Sequence, residues 1–136
     1  MNIKKVGHIG IAVNNCQKAA NFFKTVLGLT DEGTEILQDM KLKVAKIRTS
    51  DVVLELLEPM NGEVVITKFL KKRGEGIHHI CFEVDDIKNA MALLLSKGFK
   101  PLYDTPRNGA NGKLVNFLKP QDTFGILVEL NQPLKP

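Results

Sequence analysis

The chain repeats itself, and no other feature constrains its fold as strongly. His8-Ile9-Gly10-Ile11-Ala12-Val13 and His79-Ile80-Cys81-Phe82-Glu83-Val84 align at an offset of 71 residues, 8 against 79. Each hexamer is rich in strand formers, opens on His and closes on Val. Polar turn residues follow, Asn14-Asn15 in one copy and Asp85-Asp86 in the other, and then a helix-like stretch. Ala19 and Ala90 match at the same offset. Each helical stretch ends at a glycine suited to a helix C-terminus, Gly28 and Gly98. The module ends also match. Leu54-Glu55-Leu56-Leu57-Glu58-Pro59 pairs with Val128-Glu129-Leu130-Asn131-Gln132-Pro133 at an offset of 74, 55 against 129. The drift of three residues is one loop insertion in the second copy.

Periodicity fills in the elements. Strands are predicted near 6–13, 44–49, 52–57, 78–84, 113–118 and 125–131, and helices near 16–27 and 87–97. Ala19, Ala20, Phe22, Phe23, Val26 and Leu27 form the apolar face of the first helix. Ile87, Ala90, Met91, Leu94 and Leu95 form that of the second. A short helix is expected over 64–72, ended by Gly74. The stretches 30–43 and 99–106 carry no clear period, and 108–113 reads as a tight turn or exposed loop. The expected fold class is α+β: two tandem βαβββ modules forming a cup-shaped, mixed β-sheet around a metal site. A single domain is expected over 1–136, with module one at about 1–60, a connecting segment at 61–75 and module two at 76–136.

A duplicated module packs about a pseudo-twofold axis, so equivalent residues face each other. His8 then meets His79 and Glu55 meets Glu129. In either module alone, a His opening a strand and a Glu within one are ordinary structural residues. Their repetition at matched positions points instead to a divalent-metal site with ligands His8, Glu55, His79 and Glu129. Imidazole suits Zn, Ni, Co and Fe, and carboxylate oxygens extend the range toward Mn and Mg; the expected cofactor is a divalent ion, Co, Mn, Ni or Zn. Four protein ligands on a six-coordinate ion leave two positions open. Strand parity puts His8 beside Gly10 and Ala12, and His79 beside Cys81, small neighbours that leave room. His78 falls on the other strand face and is expected to pack.

Composition excludes other classes. No apolar run reaches the roughly 20 residues of a membrane span, and no signal peptide precedes the first strand-like segment, so a cytoplasmic protein is expected. A net charge of +4 with one Tyr and no Trp argues against nucleic-acid binding. Cys16 and Cys81 stand far apart and read as reduced thiols.

These segments, together with Phe69-Leu70-Lys71-Lys72-Arg73-Gly74-Glu75-Gly76-Ile77-His78-His79 and Phe117-Leu118-Lys119-Pro120, resemble the vicinal oxygen chelate (glyoxalase/bleomycin resistance/dioxygenase) superfamily, and within it methylmalonyl-CoA epimerase. The resemblance covers nearly the whole chain. It implies a metal-dependent epimerase, an acyl-CoA substrate and a homodimer, with His8, Glu55, His79 and Glu129 at the ligand positions. It implies interconversion of (R)- and (S)-methylmalonyl-CoA by α-proton abstraction through a metal-stabilised enolate, with Glu129 as the catalytic acid or base. Some epimerases carry a second acidic residue on the strand after the first helix. The matching stretch here, 40–46, has no acid, and Asp39 is the nearest. Lys43 is either a surface lysine or a contributor near the site. Arg107, Lys113 and Lys119 are either CoA-phosphate contacts or a solvated basic loop. Two alternatives remain open: a glyoxalase I-like lactoylglutathione lyase using the same four ligands, and a non-catalytic small-molecule-binding protein of the same fold.

Overall fold

A computed structural model describes residues 1–109 and 112–134. In chain order the elements are β1 (Ile3–Ala12), α1 (Cys16–Thr25), β2 (Thr30–Leu37), β3 (Leu42–Arg48), β4 (Val53–Pro59), α2 (Val65–Arg73), β5 (Gly76–Val84), α3 (Ile87–Ser96), β6 (Arg107–Asn108), β7 (Leu114–Leu118) and β8 (Leu127–Gln132). The eight strands hydrogen-bond in the order β2-β3-β4-β1-β5-β8-β7-β6. The chain forms two compact units, one of His8–His78 and one of Met1–Gly7 with His79–Pro136. Strand β1 is therefore shared, its first residues belonging with the second module. Part of the turn expected over 108–113, Ala110 and Asn111, lies outside the described residues. Among the described residues, no helix is long and apolar enough to cross a membrane.

In the unit of residues 8–78, β1 pairs parallel with β4, and β3 pairs antiparallel with both β2 and β4. Side chains alternate between the faces of this sheet. One face carries Ala45, Ile47, Leu56 and Val13, which are covered by Cys16 and Ala20 of α1. The other carries Ala12, Leu42, Val44 and Leu57, covered by Ile66 of α2 with Phe69 and Leu70 beside it. Ile47 and Leu56 are fully buried, and each stabilises the unit by about 1.5–3 kcal/mol.

The second module repeats the first layer. β5 pairs parallel with β8, and β8 antiparallel with β7. Val84, Ile87, Ala90, Met91 and Leu130 form its core under α3. The module helices start in the same way. Asn15 accepts from the Lys18 N–H at 2.9 Å, and Asp86 accepts from the Asn89 N–H at 3.1 Å. A second carboxyl or amide oxygen reaches each helix from the last strand of its module: Glu58 Oε1 accepts the Cys16 N–H at 2.9 Å, and Gln132 Oε1 the Ile87 N–H at 2.8 Å. Both pairs sit at matched positions of the repeat. At the far end of α3, Gly98 has φ +88, and the Phe99 and Gly98 N–H groups donate to the Leu94 and Leu95 carbonyls. This is a Schellman closure that only a residue tolerant of positive φ completes without strain.

Candidate metal and active site

Strand register places the histidine and glutamate of each module side by side. In β1 and β4, Gly10 stands opposite Glu55 and His8 opposite Val53. His8 and Glu55 thus share the sheet face that bears α2, the face opposite α1. Their side chains meet with His8 Nδ1 and Glu55 Oε2 3.7 Å apart, the imidazole 12% and the carboxylate 24% exposed. In β5 and β8, Cys81 stands opposite Glu129 and His79 opposite Leu127, the same relation one repeat later. His79 Nε2 lies 3.5 Å from Glu129 Oε1, and both side chains are 11% exposed. Cys81 is fully buried beside them. Each unit therefore holds one half-buried or buried His–Glu pair, the same two residue types in the same register.

The donor chemistry of each pair fits a divalent cation. Both gaps exceed the N–H···O distance of about 2.9 Å that a direct hydrogen bond favours. Two ligand atoms bound at about 2.1 Å to one ion stand roughly 3.0–3.4 Å apart at ordinary coordination angles, so each pair needs to close by only a few tenths of an ångström. A carboxylate placed this deep in an apolar strand also calls for a cationic partner to offset its desolvation.

The other candidates have separate places. His78 packs its ring edge-on against Phe69 of α2, with centroids 5.2 Å apart. Burial holds its pKa below the ordinary histidine value, which suits the packing role expected for it. Lys43 stands opposite Glu58 on the face covered by α1, away from the Glu55 face. The Arg107 guanidinium lies over the Tyr103 ring at 3.9 Å. Lys119 precedes the short 3-10 turn Pro120–Asp122. Cys16 and Cys81 are both buried thiols outside any disulfide. Glu58 caps α1, and its match to Gln132 in the repeat is the sequence signal for that role.

The fold is that of a protein built from duplicated modules, and each module's His–Glu pair has the donor chemistry that could hold a metal ion. The model of the glyoxalase/bleomycin resistance protein/dioxygenase superfamily matches residues 7–117. An ethylmalonyl-CoA/methylmalonyl-CoA epimerase of Cereibacter sphaeroides is 38% identical over 132 residues, 96% of this chain and 98% of that protein. The mitochondrial methylmalonyl-CoA epimerase of Homo sapiens is also 38% identical over 132 residues, 96% of this chain and 75% of that protein. A crystallised variant of Streptomyces coelicolor methylmalonyl-CoA epimerase, in complex with 2-nitronate-propionyl-CoA, superposes with a TM-score of 0.86 at 34% identity, covering 98% of this chain and all of that one. The chain belongs to the glyoxalase/bleomycin resistance/dioxygenase superfamily and, within it, to the methylmalonyl-CoA epimerases, and it is an epimerase-like enzyme.

Proposed function

We propose that the chain interconverts (R)- and (S)-methylmalonyl-CoA, and that His8, Glu55, His79 and Glu129 together hold the one divalent ion that the reaction uses. The observation that carries this reading is the His–Glu pair placed in equivalent register in both modules. The kinship with methylmalonyl-CoA epimerases supports the substrate. When bound, such an ion supplies a Lewis acid that stabilises negative charge developing on substrate oxygens.

The chain's own residues supply the rest. The substrate α-carbon lies between a thioester and a carboxylate, which makes its proton removable by a carboxylate base. Glu129 is that base: a carboxylate oxygen takes the proton from one face of the α-carbon and returns it in the reverse direction. The deep setting of Glu129 keeps bulk water from competing for the proton. The small side chains at Gly10, Ala12 and Cys81 leave space beside the two histidines.

The test is deuterium wash-in at the α-position, followed with conversion between the epimers. Chelated protein is expected to be inactive, and protein reloaded with Co, Mn, Ni or Zn active, with about one metal ion per chain. Glu129→Ala is expected to lose turnover by 10²-fold or more. Absence of exchange in both chelated and reloaded protein overturns the reading. Turnover of methylglyoxal with glutathione in its place assigns the site to a lyase.

A further inference from the structure

One buried amide breaks the repeat. Asn131 of β8 is 3% exposed, and its Oδ1 has no hydrogen-bond partner among the described residues. Such an oxygen destabilises the fold unless something supplies a donor. The other buried polar side chains of this unit are accounted for. Asn116 holds three backbone groups of its own unit, and His79 and Glu129 face each other. The repeat sets Asn131 against Leu57, and in module one Leu57 packs under Ile66 of α2. Module two thus carries an amide where module one carries a core leucine.

The neighbours of Asn131 on the sheet offer it no donor. Residues opposed across a strand pair project to the same side, and the period along a strand is two. Leu130 belongs to the core under α3, so Asn131 and Glu129 share the opposite face. Glu83 of β5 stands opposite Asn131 on one side and Val115 of β7 on the other. A carboxylate has only acceptor oxygens, and that of Glu83 lies 3.6 Å from the Lys5 ammonium Nζ. Valine has no polar atom. Along the strand, Glu129 presents a carboxylate and Pro133 has no N–H. All of these residues belong to the single compact unit of Met1–Gly7 and His79–Pro136. The missing donor has to come from a molecule lying on this face.

We propose that Asn131 is a substrate-binding residue whose Oδ1 accepts the amide N–H nearest the sulfur of the acyl-CoA thioester. The inference rests on the epimerase reading above, in which Glu129 meets the α-proton. The spacing agrees with it. Glu129 and Asn131 are two residues apart on one strand face, about 7 Å along the strand. In the substrate, the carbonyl carbon, the sulfur and two methylenes separate the α-carbon from that amide nitrogen, roughly 6 Å when extended. A thioester with its α-carbon at Glu129 and its arm along β8 therefore brings the N–H to Asn131. The bond fixes the arm one strand period from the reacting carbon, and it selects thioesters of an amide-bearing thiol. The amide of Asn131 is neutral, so it adds no charge beside Glu83 and Glu129.

The experiment compares methylmalonyl-CoA with an otherwise complete analogue that carries an ester oxygen in place of that N–H. Epimer conversion and α-deuterium wash-in are followed for both, and urea midpoints are measured alongside. The metal-loaded, unmodified chain is expected to favour the amide by about tenfold or more in kcat/KM, because the ester leaves Oδ1 without a donor. Asn131→Leu and Asn131→Ala are expected to lose that advantage with methylmalonyl-CoA and to treat the two thioesters alike within about twofold. Asn131→Leu is expected to keep or raise the urea midpoint, since it removes a buried oxygen that the fold leaves unpaired. Equal turnover of both thioesters by the unmodified chain overturns this proposal alone, whether or not the variants fold. So does an amide preference that survives in either variant; with a lowered midpoint, that result marks an amide serving the fold. No conversion of methylmalonyl-CoA by the unmodified metal-loaded chain overturns the epimerase reading and this proposal with it.

Discussion

Replacing Asn116 by alanine is expected to destabilise the chain by about 2–4 kcal/mol, a magnitude that follows from what the side chain does. Asn116 is fully buried on β7. Its Oδ1 accepts the Tyr103 N–H at 3.1 Å and the Phe117 N–H at 2.8 Å. Its Nδ2 donates to the Tyr103 carbonyl at 3.0 Å and lies 3.3 Å from Met91 Sδ. Three backbone groups thus depend on one amide. The loop before β6 is held to β7 by these contacts and by the Leu102 N–H donating to the Phe117 carbonyl. A net hydrogen bond contributes about 1 kcal/mol, and an unsatisfied buried group costs about 1–3 kcal/mol. Water reaches some of these part-buried groups once the amide is gone, which gives the lower end of the range. The assay is the urea midpoint at unchanged slope, with Tm alongside. Asn116→Leu separates the causes. It nearly restores the lost volume but none of the hydrogen bonds, so it is expected to be about as unstable as Asn116→Ala. Recovery of stability in Asn116→Leu would refute the hydrogen-bond reasoning and leave a cavity as the cause. Phe117 stands opposite Glu129 in the β7–β8 register, so loosening β7 is also expected to reduce turnover more than the global stability loss implies.

Other outcomes follow from the caps and the thiols. Glu58→Ala and Gln132→Ala each remove the acceptor for the first N–H of a module helix, and each is expected to lower stability by about 1 kcal/mol in urea melts. Equal losses in the two variants are the signature of the repeat. Burial first, and then the neighbouring Glu58 carboxylate, push the Cys16 thiol above its ordinary value. The folded chain keeps that proton while the unfolded chain releases it, so Cys16 contributes a loss of stability as the pH rises above about 9. Cys16→Ala is expected to flatten that part of a stability-against-pH curve. A curve unchanged between the two proteins would show that the thiol does not ionise on unfolding. Both buried cysteines are expected to react with iodoacetamide only as the chain unfolds, with labelling that tracks the urea transition.

The sequence by itself carried a large part of this protein. Helices expected over 16–27 and 87–97 are Cys16–Thr25 and Ile87–Ser96. Their starts were legible because Asn15 and Asp86 are good caps, and their ends because Gly28 and Gly98 tolerate positive φ. The short helix expected over 64–72 is Val65–Arg73. The repeat also singled out His8, Glu55, His79 and Glu129, because matched residue types at matched offsets survive without any knowledge of the fold. Strand β2 was not legible. Thr30–Leu37 is an edge strand whose residues are mostly exposed, so no alternation of apolar side chains marks it. β6 is two residues long and leaves no pattern at all. β1 also begins earlier than the period suggested, at Ile3, because its first residues pair for other reasons than burial: Lys5 stands 3.6 Å from Glu83.

What tertiary structure alone decided is which distant side chains share a strand face. The same chain segment offers Lys43 and Lys46 to any reader, three residues apart and chemically identical. Register sends Lys43 to the helix-covered face opposite Glu58 and Lys46 to the face of Glu55 and His8, where Glu35 meets it. The repeat determined the histidines and glutamates because duplication is written in the order of residues. It could not determine the Glu35–Lys46 pair, because cross-strand neighbours are fixed by a bulge and a pairing register that only the assembled sheet selects.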